Sequence, residues 1–157
     1  MRSLRANSTL TLTATVLAAV LVVANISSLN VALPELSREL GASQSDVQWM
    51  VDIYAFFLAS LLLPAGALGD KFGRRSMLLL GVAILGIANA GTLFTEHLDF
   101  IEPNEARLVI AFRALSGIGA AFIFPATLST ITTTLPSEKK ERGVAIWTAS
   151  VFFGGLS

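Results

Sequence analysis

The stretch Gly66-Ala-Leu-Gly-Asp-Lys-Phe-Gly-Arg-Arg75 decides the fold class of this chain. It is rich in glycine and charge, and it lies between two long apolar runs. Lys71, Arg74 and Arg75 place a basic patch beside a membrane-length segment, which is typical of the cytoplasmic side of a membrane protein. Asp70 could pair with these cations or cap the next helix. The stretch therefore predicts a tight cytoplasmic loop, whose simplest role would be to set topology.

The composition agrees with a membrane protein and excludes several other classes. The 157 residues are 54% hydrophobic and 14% charged, and the mean hydropathy is +0.70. The chain has no cysteine, so it can form neither a disulfide nor a thiolate site. The one histidine, His97, lies in an acidic stretch and is expected to be a solvated loop residue. No nucleotide loop, nucleophile triad or metal cluster occurs, so we expect no enzyme, cofactor, metal or nucleic-acid partner.

The apolar runs predict an all-α, polytopic membrane protein. Four runs are long enough for the roughly 20 residues that cross a bilayer, at about 10–33, 47–69, 76–95 and 108–134. The first exceeds the apolar region of a signal peptide, about 7–15 residues, so we expect an uncleaved helix that ends at Pro34. Pro136 is expected to end the fourth. A fifth run, 143–157, holds 15 residues, too few to cross, and predicts a truncated helix.

The basic residues predict the orientation of these helices. Eight of them fall on one predicted side, and only Arg38 and Arg107 fall on the other. This bias predicts a cytoplasmic amino terminus and cytoplasmic connections after the second and fourth helices, in the inner (plasma) membrane. The eight are Arg2, Arg5, Lys71, Arg74, Arg75, Lys139, Lys140 and Arg142.

Two charges lie inside the predicted helices, where they are costly and usually face a partner or a cavity. Asp52 and Arg113 fall at similar depth, together with Asn25. We therefore expect a polar cluster of Arg113 with Asp52, Asn25 or both. The alternative is that Asp52 is interfacial near Trp49 while Arg113 snorkels outward. Thr11, Thr15 and Asn25 could form a cavity-facing stripe, although threonines also bond back to their own helix.

Three motifs resemble the major facilitator superfamily. Its loop signature between the second and third helices is matched at Gly66, Leu68, Asp70, Gly73, Arg74 and Arg75, with departures at Gly69 and Lys71. The segment 113–121 resembles its fourth-helix signature, in which Arg113 is followed by Gly117 and Gly119; these glycines would also suit close helix packing alone. The segments 30–34 and 49–54 are similar to its fourteen-helix drug:proton antiporter branch.

The resemblance implies that residues 1–157 form part of an N-terminal bundle, four helices and a truncated fifth, of a two-bundle multidrug efflux transporter. Such a transporter exports lipophilic cationic compounds in exchange for protons, and the chain would not transport alone. The resemblance assigns Gly66, Asp70, Gly73, Arg74 and Arg75 to a gating loop and Arg113 to proton coupling.

The chain departs from this branch at Asn25, where an aspartate is usual. An amide cannot exchange a proton for a cation. Either Asp52 takes this role, or the coupling acids lie elsewhere, or the substrates differ. Two rival interpretations are a non-transporting membrane remnant or assembly partner, and a small dimeric four-helix multidrug pump. The pump would need an acid in helix one, which this sequence lacks.

Overall fold

The computed structural model describes residues 2–39, 41–95 and 105–154, which form five α-helices and contain no strand. The all-α prediction is confirmed. Glu96, His97, Asp99 and Glu102 lie outside the described residues, as do residues 155–157 and the side chains of Arg2, Arg5 and Asn30. The helices are α1 (Arg2–Glu39), α2 (Gln44–Phe72), α3 (Arg74–Thr95), α4 (Glu105–Thr134) and α5 (Ser137–Gly154).

Within the described residues, four helices are long and apolar enough to cross a membrane. Their spans are Leu10–Glu35, Gln44–Phe72, Arg74–Phe94 and Ala106–Thr134. Helices can do this because each satisfies its own backbone hydrogen bonds without water. The chain is therefore a multi-pass membrane protein.

Three predicted helix ends are wrong. Pro34 does not end α1, which continues through it to Glu39. Proline has no backbone N–H to donate, but membrane helices tolerate the missing hydrogen bond. The predicted loop over 66–75 is mostly helix, because α2 extends to Phe72 and only Gly73 lies between α2 and α3. Residues 138–142, which precede the expected start of the fifth helix at 143, belong to α5, which begins directly after Pro136.

Two local signals fix the ends of α2. At its start, the Ser43 hydroxyl accepts from the Asp46 N–H (3.2 Å) and the Asp46 carboxylate accepts from the Ser43 N–H (3.0 Å). This reciprocal cap satisfies two otherwise unpaired donors. At its end, Gly73 has φ +93°, a conformation that costs little only for glycine. The chain can therefore turn from α2 into α3 within one residue.

Helix α4 is the centre of the bundle and packs against all four other helices. Glycines bring its backbone close to α2 and α3. A methyl group built on Gly117 would lie 2.5 Å from the carbonyl oxygen of Tyr54, and one built on Gly119 would lie 2.9 Å from that of Gly81. Only residues without a Cβ permit such approaches.

The contacts also give the relative directions of the helices. Gly81 lies against Gly119 while Gly91 lies against Phe112, so α3 runs antiparallel to α4. Tyr54 lies against Gly117 and Gly66 lies against Pro125, so α2 runs parallel to α4.

One end of the bundle therefore carries both basic junctions. At that end Arg74 reaches Ser129, near the end of α4, and Gly143 of α5 approaches Leu12 of α1. The junction between α2 and α3 carries Lys71, Arg74 and Arg75, and the first turns of α5 carry Lys139, Lys140 and Arg142.

Gly117→Ala is expected to destabilise the bundle by about 1–3 kcal/mol, because its methyl group would overlap the α2 backbone. The free energy of unfolding can be measured by circular dichroism in bicelles. Gly86→Ala is the matched control, since nothing lies within 4 Å of a methyl group at Gly86, and it should change stability by less than about 1 kcal/mol. Equal effects of the two changes would contradict the close α2–α4 contact.

The orientation can be tested with single cysteines, since the chain has none of its own. Ser76→Cys and Ser137→Cys place a thiol at the end with the basic junctions, and Ser45→Cys places one at the opposite end. All three serines are exposed. We expect an impermeant maleimide applied to intact cells to label only the cysteine at position 45, because basic junctions stay in the cytosol. The reverse pattern would invert the predicted topology.

Candidate functional site

Arg113 forms a polar cluster inside the bundle. It lies on α4 with only 5% of its surface exposed. Its Nε donates to the carbonyl oxygen of Met50 on α2 (3.3 Å), and its Nη1 donates to the side-chain oxygen of Asn25 on α1 (2.9 Å). The guanidinium also lies over the ring of Tyr54, 4.6 Å from the ring centroid, a cation–π contact. Arginine suits this position because it stays protonated and offers five donors.

The cluster extends to a fourth helix through Asn25. The Asn25 amide nitrogen donates to the side-chain oxygen of Asn89 on α3. One connected network therefore joins α1, α2, α3 and α4. The sequence analysis missed Asn89, although a signal existed: it is an amide in the middle of an uncharged apolar run, where polar side chains usually find a partner on another helix.

Asp52 does not join this cluster. Its side chain is exposed, and it lines a shallow cleft with Ser45, Gln48, Trp49 and Phe56. Of the two partners expected for Arg113, the structure thus brings Asn25 to it and leaves Asp52 apart. The placement instead matches the alternative in which Asp52 lies near Trp49.

A partly open chamber of about 440 Å³ lies beside the polar cluster, and its apolar lining comes from Leu21, Ala24, Ala32 and Leu93. Its polar lining comes from α1, α3 and α4, and no described residue that lines it is acidic. The polar lining residues are Asn25, Ser28, Asn89, Thr92, Arg113 and Ser116.

The residues assigned to the gating loop lie at the other end of α2. The Asp70 carboxylate, near the end of α2, pairs at 3.3 Å with Arg74, the first residue of α3; Asp70 is exposed and Arg74 is half-buried. The other guanidinium nitrogen of Arg74 donates to the carbonyl oxygen of Ser129 (3.3 Å). Gly66 faces Pro125 of α4, and Arg75 is exposed. This end therefore joins α2, α3 and α4 through weak, accessible contacts.

The expected threonine stripe is not a cavity surface at Thr15. Thr15 is buried, and its hydroxyl donates to the carbonyl oxygens of Thr11 (3.0 Å) and Leu12 (2.9 Å) of its own helix. This is the back-bonding alternative. Only Asn25 of the three lines the chamber.

The sequence analysis also missed an aromatic contact between α4 and α5. The indole nitrogen of Trp147 donates to the Thr127 hydroxyl (3.1 Å), and the ring packs edge-on against Phe124. No group of three or more metal-binding side chains occurs within residues 2–39, 41–95 and 105–154.

Comparison of the sequence with known proteins relates this chain to a family of membrane transporters. The sequence profile of the Major Facilitator Superfamily matches residues 15–157. The chain is 39% identical over 149 residues to the methyl viologen resistance protein SmvA of Salmonella typhimurium, an alignment that covers 94% of this chain and 28% of that protein. It is 36% identical over 125 residues to the multidrug efflux pump LfrA of Mycolicibacterium smegmatis, covering 79% and 23%.

A third relative is the puromycin resistance protein pur8 of Streptomyces alboniger, 36% identical over 138 residues, which cover 88% of this chain and 26% of that protein. The chain thus spans about a quarter of the length of the curated relatives that it matches.

A double-mutant cycle tests the link between Asn25 and Asn89. We expect Asn25→Ala and Asn89→Ala to show a coupling energy of about 0.5–2 kcal/mol in the free energy of unfolding, because each change breaks the same interhelical hydrogen bond. The control cycle pairs Asp52→Asn with Asn89→Ala and should show no coupling. Additive effects of the two asparagine changes would mean that the hydrogen bond contributes nothing.

Proposed function

The chain belongs to the major facilitator superfamily, and on this premise we propose that it supplies N-terminal helices of a transporter that exports lipophilic compounds, cations among them, in exchange for protons. The observation that carries the proposal is the buried Arg113 cluster. A charge inside a membrane bundle is costly and is usually retained for function. The names of the relatives support export of toxic compounds, since they include a resistance protein against methyl viologen, an organic cation.

Arg113 and Asn25 cannot themselves carry the exchanged proton. The guanidinium stays charged, and the amide does not titrate. Among the acidic residues that the structure describes, Asp52 lies furthest from the ends of its membrane span, eight residues after Gln44. We therefore assign proton exchange to Asp52 within this segment. Arg113 would act instead by holding the four helices in one arrangement while the two bundles move against each other.

The opposite end of α2 provides a contact that can open and close. An exposed ion pair such as Asp70–Arg74 contributes only about 0–1 kcal/mol. A pair of this strength can break and re-form during each transport cycle. Because Arg74 also donates to the Ser129 carbonyl oxygen, a movement of its side chain would remove one contact between this junction and α4. This supports the proposed gating role of Gly66, Asp70, Gly73, Arg74 and Arg75.

Efflux of a fluorescent lipophilic cation from cells that carry the full-length gene tests the proposal. Arg113→Ala should reduce proton-driven efflux by about tenfold or more at normal membrane levels, because a transport-specific contact is lost. Arg107→Ala is the matched control, since Arg107 is an exposed arginine of the same helix, and it should retain efflux. Normal efflux by the Arg113 variant would remove the cluster from the mechanism.

The same assay tests the role of Asp52. Asp52→Asn should abolish the dependence of efflux on external pH, since an amide cannot release a proton. Membrane levels of the variant are measured in parallel. An unchanged pH dependence would assign proton exchange to another acid.

A further inference from the structure

The chamber beside Arg113 has an unbalanced positive charge. Arg113 is 95% buried, and the groups that contact it are the carbonyl oxygens of Met50 and Asn25, the Asn25 amide oxygen and the Tyr54 ring. All of these are neutral. The single ion pair found among the described residues, Asp70–Arg74, lies at the other end of α2. A buried cation without a counter-ion is unfavourable, because neutral dipoles replace only part of its hydration.

The chamber supplies further donors beside this charge. Asn25, Asn89 and Ser116 line it together with Arg113, and amide and hydroxyl groups donate readily to anions. The hydrogen bonds that Arg113 donates within the described residues use Nε and Nη1 only. The planar guanidinium can therefore offer its second terminal nitrogen, Nη2, to a further acceptor. A carboxylate matches a guanidinium better than any neutral group does.

We propose that this chamber is a binding site for a monovalent anionic group, either a carboxylate of a small organic acid or an inorganic anion. The positive charge that attracts an anion here also repels a cation. This proposal is independent of the export activity, because binding alone tests it.

Binding is measured with the whole chain in lipid nanodiscs, using radiolabelled probes of equal length: butyrate, butyramide and butylammonium. Empty nanodiscs correct for partition into lipid. We expect butyrate to bind saturably and at least about tenfold more tightly than the other two, because only it supplies the missing charge. Equal binding of the three probes, or no binding of butyrate and chloride alike, overturns the proposal.

Asn25→Asp is the decisive variant, because it keeps the side-chain shape while placing a carboxylate within 2.9 Å of Nη1. The new internal counter-ion should weaken butyrate binding at least about tenfold. Gln44→Glu is the matched control and should bind butyrate as the parent chain does, since it adds the same charge at an exposed position outside the chamber. Unchanged butyrate binding by Asn25→Asp would contradict the proposal. A second variant, Arg113→Leu, removes the positive charge and should not bind butyrate. The Asn25→Asp result decides the question even if Arg113→Leu fails to fold.

Competition by chloride separates the two sources of the anion. If chloride displaces butyrate, the chamber takes an inorganic anion, and if it does not, the chamber requires a carboxylate. Either outcome supports the site, provided that Asn25→Asp weakens butyrate binding as expected. Because the efflux assay is separate, loss of efflux with intact butyrate binding would count against the proposed export and not against this site.

Discussion

The buried guanidinium of Arg113 is the constraint on which the rest of the structure depends. Inside a membrane bundle, a permanent charge that is almost fully buried has to be solvated mainly by protein groups, because lipid cannot solvate it. This chain solvates it with the Met50 carbonyl oxygen and the Tyr54 ring of α2 and with two oxygens of Asn25 on α1, and it extends the network to Asn89. Each of these groups has to stay in register with Arg113, so the cluster fixes the axial positions of four helices at once.

The small residues of α4 make this solvation possible. Arg113 can reach the carbonyl oxygen of Met50 only because the α2 and α4 backbones approach closely one turn further along, at Gly117. The third helix packs on the other side through Gly81 and Gly119. Lipid tails give no hydrophobic drive for helices to associate, so such packing and the polar network are what hold membrane helices together. The solvation of the buried charge therefore depends on the close helix packing that the glycines permit.

The sequence predicted the fold class and the two residues at the heart of the cluster, because apolar length and intramembrane charge are strong local signals. The predictions from sequence were wrong or incomplete where contacts between helices, and not local signals, determine the structure. Proline at 34 is a poor helix residue, yet α1 continues through it. Asp52 and Arg113 lie at similar depth, but depth alone does not say which face of α2 turns toward α4. Asn89 was missed because its role depends on Asn25, two helices away in the chain.

The distribution of strong and weak contacts also indicates which part of the bundle can move. Around Arg113 the contacts are buried, and breaking one would leave a charge poorly solvated, which is costly. At the junction of α2 and α3 the Asp70 carboxylate of the Asp70–Arg74 pair is exposed, so water can replace this contact at little cost. Gly73 places the turn between the two helices at a single residue. Motion that begins at this junction would leave the polar cluster intact, and the cluster would act as the fixed point about which the helix ends shift.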